Sequence, residues 1–149
     1  KSKYAALVAA AAAGTLLLAG CSSDGSDSGT PDAQPAATAP AVQAGEIALV
    51  DAPTFAAAAE GEDVVLLDVR TPQEFDEGHI EGALNIDIYI PNFQSDVLAL
   101  DKDATYAVYC RSGNRSATAT AFMQENGFGG IYELDGGMVA WESAGLPTA

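Results

Sequence analysis

The chain has 149 residues, 21 of them acidic and 6 basic, for a formal net charge of −15. That length holds one domain with appendages, and the charge excludes nucleic acid and anionic lipid surfaces as partners, because both require basic patches. Two cysteines and one histidine are too few for a Cys₄ or Cys₂His₂ zinc site, so neither a metal nor a bound cofactor is expected.

Lys1 and Lys3 open the chain, and an uncharged Ala/Leu-rich run follows from Tyr4 to Ala19. A basic start, an apolar stretch short of the roughly 20 residues a span needs, and small residues at its end describe a secretory signal. The run ends Leu18-Ala19-Gly20-Cys21, which resembles the lipobox of bacterial lipoproteins. Residues 1–20 are therefore expected to be a lipoprotein signal peptide. Cys21 would carry the lipid and hold the protein on the extracytoplasmic face of a bacterial cell membrane. An ordinary signal peptide with a chance cysteine is the alternative. Residues 21–45 are expected to form a disordered tether. Pro31, Pro35 and Pro40 interrupt its Ser/Asp/Gly/Ala composition and Val42 is its one large apolar residue, too little to offset the entropy of ordering.

From Glu46 to Ala149 short apolar runs alternate with helical patterns. Ile47–Val50 reads as a first strand, and Pro53–Glu60 as a helix with proline at its start and Gly61 beyond its end. Val64–Leu67 is a continuous apolar run, the pattern of a strand buried on both faces. A short helix over Pro72–Glu77, a strand over Ala83–Ile86 and a helix over Phe93–Leu100 follow. Thr105–Tyr109 is the second long buried strand. The spacing then predicts a helix over Asn114–Asn126, a strand over Ile131–Leu134 and a last helix over Met138–Ala144 that contributes Trp141 to the core. This alternation implies right-handed crossovers and an α/β domain with a mostly parallel five-stranded sheet, helices on both faces. In such sheets the site lies beyond the carboxyl ends of the strands, here after Leu67 and Tyr109.

Tyr109 is followed by Cys110-Arg111-Ser112-Gly113-Asn114-Arg115-Ser116. A loop entering a helix N-terminus aims backbone N–H groups and the positive end of the helix dipole inward. A thiol placed there beside arginine is acidified and becomes a nucleophile. Gly113 permits a turn closed to other residues. Arg115 can offer a planar fork to an oxyanion, and Ser112 and Ser116 offer hydroxyls. A buried, inert cysteine is the bland alternative, but it would sit among apolar neighbours rather than before six polar or flexible residues.

This loop resembles the active-site loop of single-domain rhodaneses, the thiosulfate sulfurtransferase family. Three further stretches are similar to the family's signatures: Leu67-Asp68-Val69-Arg70-Thr71-Pro72-Gln73-Glu74-Phe75, Gly78-His79-Ile80-Glu81-Gly82-Ala83-Leu84-Asn85-Ile86, and Leu134-Asp135-Gly136-Gly137-Met138-Val139-Ala140-Trp141 through Gly145-Leu146-Pro147. The resemblance spans about residues 46–149 and departs at Glu81, where the family often has proline. It implies a single rhodanese-like domain in which the Cys110 thiolate takes the outer sulfur of thiosulfate, becomes a persulfide and passes the sulfur to cyanide or a thiol. Cys110, Arg111 and Arg115 would be catalytic, and Arg111, Ser112, Gly113, Asn114, Arg115 and Ser116 would bind the donor; binding to structural acids is the alternative for Arg115. A persulfide carrier that serves a protein sulfur acceptor is a second reading.

Phosphatases and arsenate reductases of related design place five residues between cysteine and arginine. Here Cys110 and Arg115 enclose four, a narrower cradle suited to one sulfur. Asp68, Arg70 and His79 are expected to support the site from outside it. Asp68 would bond loop amides, Arg70 would pair with Glu74 or Glu81, and His79 would make structural hydrogen bonds.

Overall fold

The computed structural model of the protein describes residues 38–149. The signal assignment of residues 1–20, Cys21 and most of the tether lie outside them. Ten elements follow one another: β1 (Ile47–Val50), α1 (Ala52–Ala59), β2 (Val64–Asp68), α2 (Pro72–Asp76), β3 (Leu84–Asn85), α3 (Phe93–Leu98), β4 (Thr105–Tyr109), α4 (Asn114–Glu125), β5 (Ile131–Leu134) and α5 (Gly137–Ser143). All ten were expected from the sequence. Asp51 caps α1 by accepting from the Thr54 N–H, and Thr71 and Glu74 form a reciprocal capping box on α2. β3 has two residues where four were expected.

The five strands form one sheet in the order β1-β5-β4-β2-β3, and every pairing is parallel. β4 lies at the centre. Asp68 of β2 is level with Tyr109 of β4, and the Val69 N–H donates to the Tyr109 carbonyl at 3.0 Å. The two strands therefore release their chains together at one edge, as expected for the site.

Alternation along β4 divides the core. Tyr106, Val108 and Cys110 pack on one face with Val97, Ala119, Met123 and Phe128. Ala107 and Tyr109 pack on the other with Phe55, Met138 and Trp141. The Phe55 ring meets those of Tyr109 and Trp141 edge-on, at 6.2 and 6.4 Å between centroids, a favoured aromatic geometry. Trp141 is core, as expected, and its indole N–H donates to the Pro147 carbonyl at 2.9 Å.

Residues 39–45, expected to belong to a disordered tether, pack onto the domain. Ala39 and Val42 pack against the second core cluster, the Tyr132 hydroxyl donates to the Pro40 carbonyl, and Gln124 Nε2 donates to the Gly45 carbonyl at 2.7 Å. A lone valine was read as too little to order the segment. Gly130, whose missing side chain leaves room for Val42, supplies its seat. Among the described residues no helix is long and apolar enough to cross a membrane.

Candidate active site

The loop between β4 and α4 wraps around the Cys110 sulfur. The Gly113 N–H donates to Sγ at 3.1 Å, and the Ser116 hydroxyl lies 3.5 Å away. Gly113 has φ of 98°, a conformation that other residues rarely adopt, and this turn brings its N–H onto the sulfur. Cys110 is 1% exposed. Burial alone would push its thiol up. The Ser116 hydroxyl and the backbone amides of Ser116, Ser112 and Gly113 outweigh burial and hold it below the usual thiol value.

A second helix fixes the loop from the other side. The Met138 N–H donates to the Cys110 carbonyl at 2.9 Å, and the Val139 N–H to that of Arg111 at 3.1 Å. The first turn of α5 thus uses its unpaired amides to grip the loop. The approach is so close that a Cβ on Gly137 would strike the Cys110 carbonyl and lie 2.7 Å from the Arg111 carbonyl carbon. This role of the Gly136-Gly137 pair was not read from the sequence, where a paired glycine before an apolar helix was its only trace.

The arginines divide their work. Arg111 is exposed and, among the described residues, forms no ion pair. A cavity of about 360 Å³ opens beside it, lined also by Arg70, Glu74, Met138 and Glu142. Arg115 was expected either to present its fork to an oxyanion or to bind structural acids. The fork is taken by an acid, Glu74, with both N–O distances 2.7 Å, and its guanidinium lies 5.6 Å from the centre of the Tyr89 ring. Arg115, through its hydrogen bonds, holds the Glu74 carboxyl well below the usual range, at about 2. Ser112 and Asn114 are exposed on the loop, and Ser116 is buried beneath it.

Of the supporting residues, Arg70 differs from expectation in its partner. Asp68 accepts from the Arg70 backbone N–H at 2.8 Å and from Arg70 Nε and Nη2 at 2.9 and 2.7 Å. The loop amide it holds is that of Arg70, just beyond its own strand. Arg70 pairs with Asp68, not with Glu74 or Glu81, and Nη2 also donates to the Gly78 carbonyl at 2.7 Å. A two-residue separation lets the guanidinium fold back onto the carboxylate, and Arg115 already occupies Glu74. His79 has the structural role expected: Nδ1 lies 3.0 Å from the Phe75 carbonyl oxygen and its ring stacks on Phe75 at 3.7 Å.

Glu133 was not anticipated. It is 6% exposed, and it accepts from the Ser116 hydroxyl at 3.0 Å and from the Thr120 hydroxyl at 2.9 Å. Among the described residues no group of three or more His, Cys, Asp or Glu side chains could hold a metal ion.

Comparison with known proteins identifies the family. Residues 51–144 match the family described as Rhodanese-like domain. A sulfurtransferase of Allochromatium vinosum is 39% identical over 89 residues, covering 60% of this chain and 81% of its own. The thiosulfate sulfurtransferase GlpE of Pseudomonas aeruginosa is 40% identical over 79 residues, covering 52% of this chain and 69% of its own. The crystal structure of a rhodanese-related protein from Thermoplasma volcanium superposes with a TM-score of 0.61 at 31% identity, covering 68% of this chain and 97% of that one. A matching fold, relatives that transfer sulfur and a loop closed around an acidified cysteine converge on one assignment: this chain belongs to the rhodanese family.

Proposed function

We propose that the protein is a sulfurtransferase that takes sulfane sulfur from thiosulfate, or a donor like it, and passes it through a Cys110 persulfide to a thiophilic acceptor. The observation that carries this reading is the Cys110 sulfur, which faces the Gly113 N–H and the Ser116 hydroxyl at 3.1 and 3.5 Å. In the first step the thiolate attacks the outer sulfur of thiosulfate. A Cys110 S–S bond forms, the donor's S–S bond breaks, and sulfite leaves with the electron pair. In the second step cyanide or a thiol attacks the terminal sulfur and the Cys110 thiolate leaves. The charge at the cradle stays the same throughout the first step, so preorganised amides stabilise it without rearranging. Arg111, exposed and without an ion pair among the described residues, attracts the donor and the departing sulfite. Arg115 acts through structure, holding α4 to α2 by way of Glu74. That commitment, with four residues between Cys110 and Arg115, argues against phosphatase and arsenate reductase chemistry, which needs the arginine for the oxyanion.

Steady-state formation of thiocyanate from thiosulfate and cyanide tests the reading. Parallel lines in the double-reciprocal plots, and loss of turnover in Cys110→Ser, are expected of a covalent relay. No turnover with small donors, but sulfur uptake from a protein persulfide, would move the assignment to a carrier. We further propose that Cys21 is acylated and anchors the domain to the extracytoplasmic face of the membrane. A fatty-acid label that enters the native chain and not Cys21→Ala supports this, and equal labelling refutes it.

A further inference from the structure

Glu133 is the buried carboxyl beneath the Cys110 loop to which the sulfur-transfer steps give no task. Val108 and Glu133 are register partners on β4 and β5. Cys110 lies two residues beyond Val108, so cysteine and glutamate face the same side of the sheet, under α4. Ser116, in the first turn of α4, stands between them. Its hydroxyl lies 3.0 Å from Glu133 Oε1, 2.8 Å from the Gly113 carbonyl oxygen and 3.5 Å from Cys110 Sγ. A hydroxyl has one proton. Here the Gly113 carbonyl and Glu133 share it, and the Ser116 oxygen is left to accept from the Cys110 thiol; a thiolate at Cys110 would compete for the same proton. Thr120 holds the second carboxyl oxygen at 2.9 Å, which fixes the direction of the group.

The charges around this cluster are otherwise settled in pairs. Arg70 is taken by Asp68 and Arg115 by Glu74. Arg111 and Asp135 are exposed. The residues level with Glu133 on β1 and β4 are Leu49 and Val108, both uncharged. Glu133 therefore forms no ion pair among the described residues, and its contacts with the protein's polar groups run through two hydroxyls.

We propose that Glu133 is a positioning residue for Cys110: it draws the Ser116 proton away from the sulfur and keeps the thiol less acidic than the amide loop alone would make it. The inference rests on Cys110 as the reactive thiol. Its use follows from the two steps of transfer. A thiolate too strongly stabilised is a weaker nucleophile, and a sulfur site must both attack a donor and release its cargo. A negative group two hydrogen bonds away, with a hydroxyl that can turn toward either side, sets that balance.

The test is the pH dependence of Cys110 alkylation by iodoacetamide in the full chain, followed at the Cys110 peptide by mass spectrometry. It needs no sulfur donor, so failure of thiosulfate turnover leaves it intact. The variants are Glu133→Gln, which keeps the shape, and Glu133→Val, which suits a buried strand. Ser116 and Thr120 retain backbone acceptors in both, at Gly113 and Ala117. The alkylation midpoint is expected to fall by about one pH unit in each, the size expected for a buried charge at this separation. In a Ser116→Ala background the same substitution should shift it by less. A midpoint that rises, or moves by less than about 0.3 unit, in both folded variants overturns the proposal, as does a full shift in the Ser116→Ala background.

Discussion

Replacing Glu74 with glutamine separates the structural from the catalytic reading of Arg115. Glutamine keeps one oxygen for the capping box on α2, so the substitution removes the charge and the second acceptor that faces Arg115. The Glu74 carboxyl is held down to about 2 from an ordinary value of 4.5, which corresponds to an upper bound of about 3 kcal/mol. The paired side chains of Arg115 and Glu74 are 17% and 24% exposed. Solvent screening at such a site reduces the contribution to about 1–2 kcal/mol. Because the folded-state value lies below the unfolded one, the stabilisation is complete above about pH 4.5 and is lost as the pH falls toward 2. Urea unfolding of native protein and Glu74→Gln at pH 7, 4.5 and 3 measures it. The native protein should be more stable by about 1–2 kcal/mol at pH 7, with the gap narrowing below pH 4.5. Equal stability at pH 7, or a gap that ignores pH, would refute the assignment of Arg115 to Glu74.

Gly137→Ala places a methyl group against the Cys110 and Arg111 carbonyls. It should lower sulfur transfer by roughly tenfold or more through displacement of the loop, which thiocyanate assays would detect beside a reduced Tm. Arg111→Ala should lower kcat/KM for thiosulfate by roughly tenfold, the loss of a hydrogen bond to a charged group, with Tm unchanged. After residue 21 the chain carries all 21 acids and four bases, Arg70, Lys102, Arg111 and Arg115, so its field repels anionic donors. Salt added at low ionic strength should therefore raise kcat/KM for thiosulfate. A fall would show that Arg111 governs the encounter.

The strands were legible because β2 and β4 are uninterrupted apolar runs, and only a strand covered on both faces tolerates such runs. The Cys110 loop was legible because Cys110 directly follows one of them and polar residues come next. Partner choice among charges was not. Arg70 has Glu74 four residues away, yet folds back on Asp68, while the partner of Glu74 is Arg115, 41 residues distant. That selection depends on how α2 and α4 meet, which no local pattern encodes. Glu133 was obscured for a related reason. It interrupts an otherwise apolar strand, Ile131 to Leu134, and only the hydroxyls of Ser116 and Thr120 on α4 make its burial tolerable. The order of residues 39–45 was hidden because Val42 finds its seat against Gly130, remote in sequence.

The central claim, a persulfide on Cys110, is tested most directly by the intact mass of the reduced protein before and after exposure to thiosulfate, beside Cys110→Ser. The account predicts a gain of about 32 Da, one sulfur atom, on the native protein alone, and its removal by cyanide. A folded protein with a reduced Cys110 that gains no mass from thiosulfate or any other sulfane donor would contradict it.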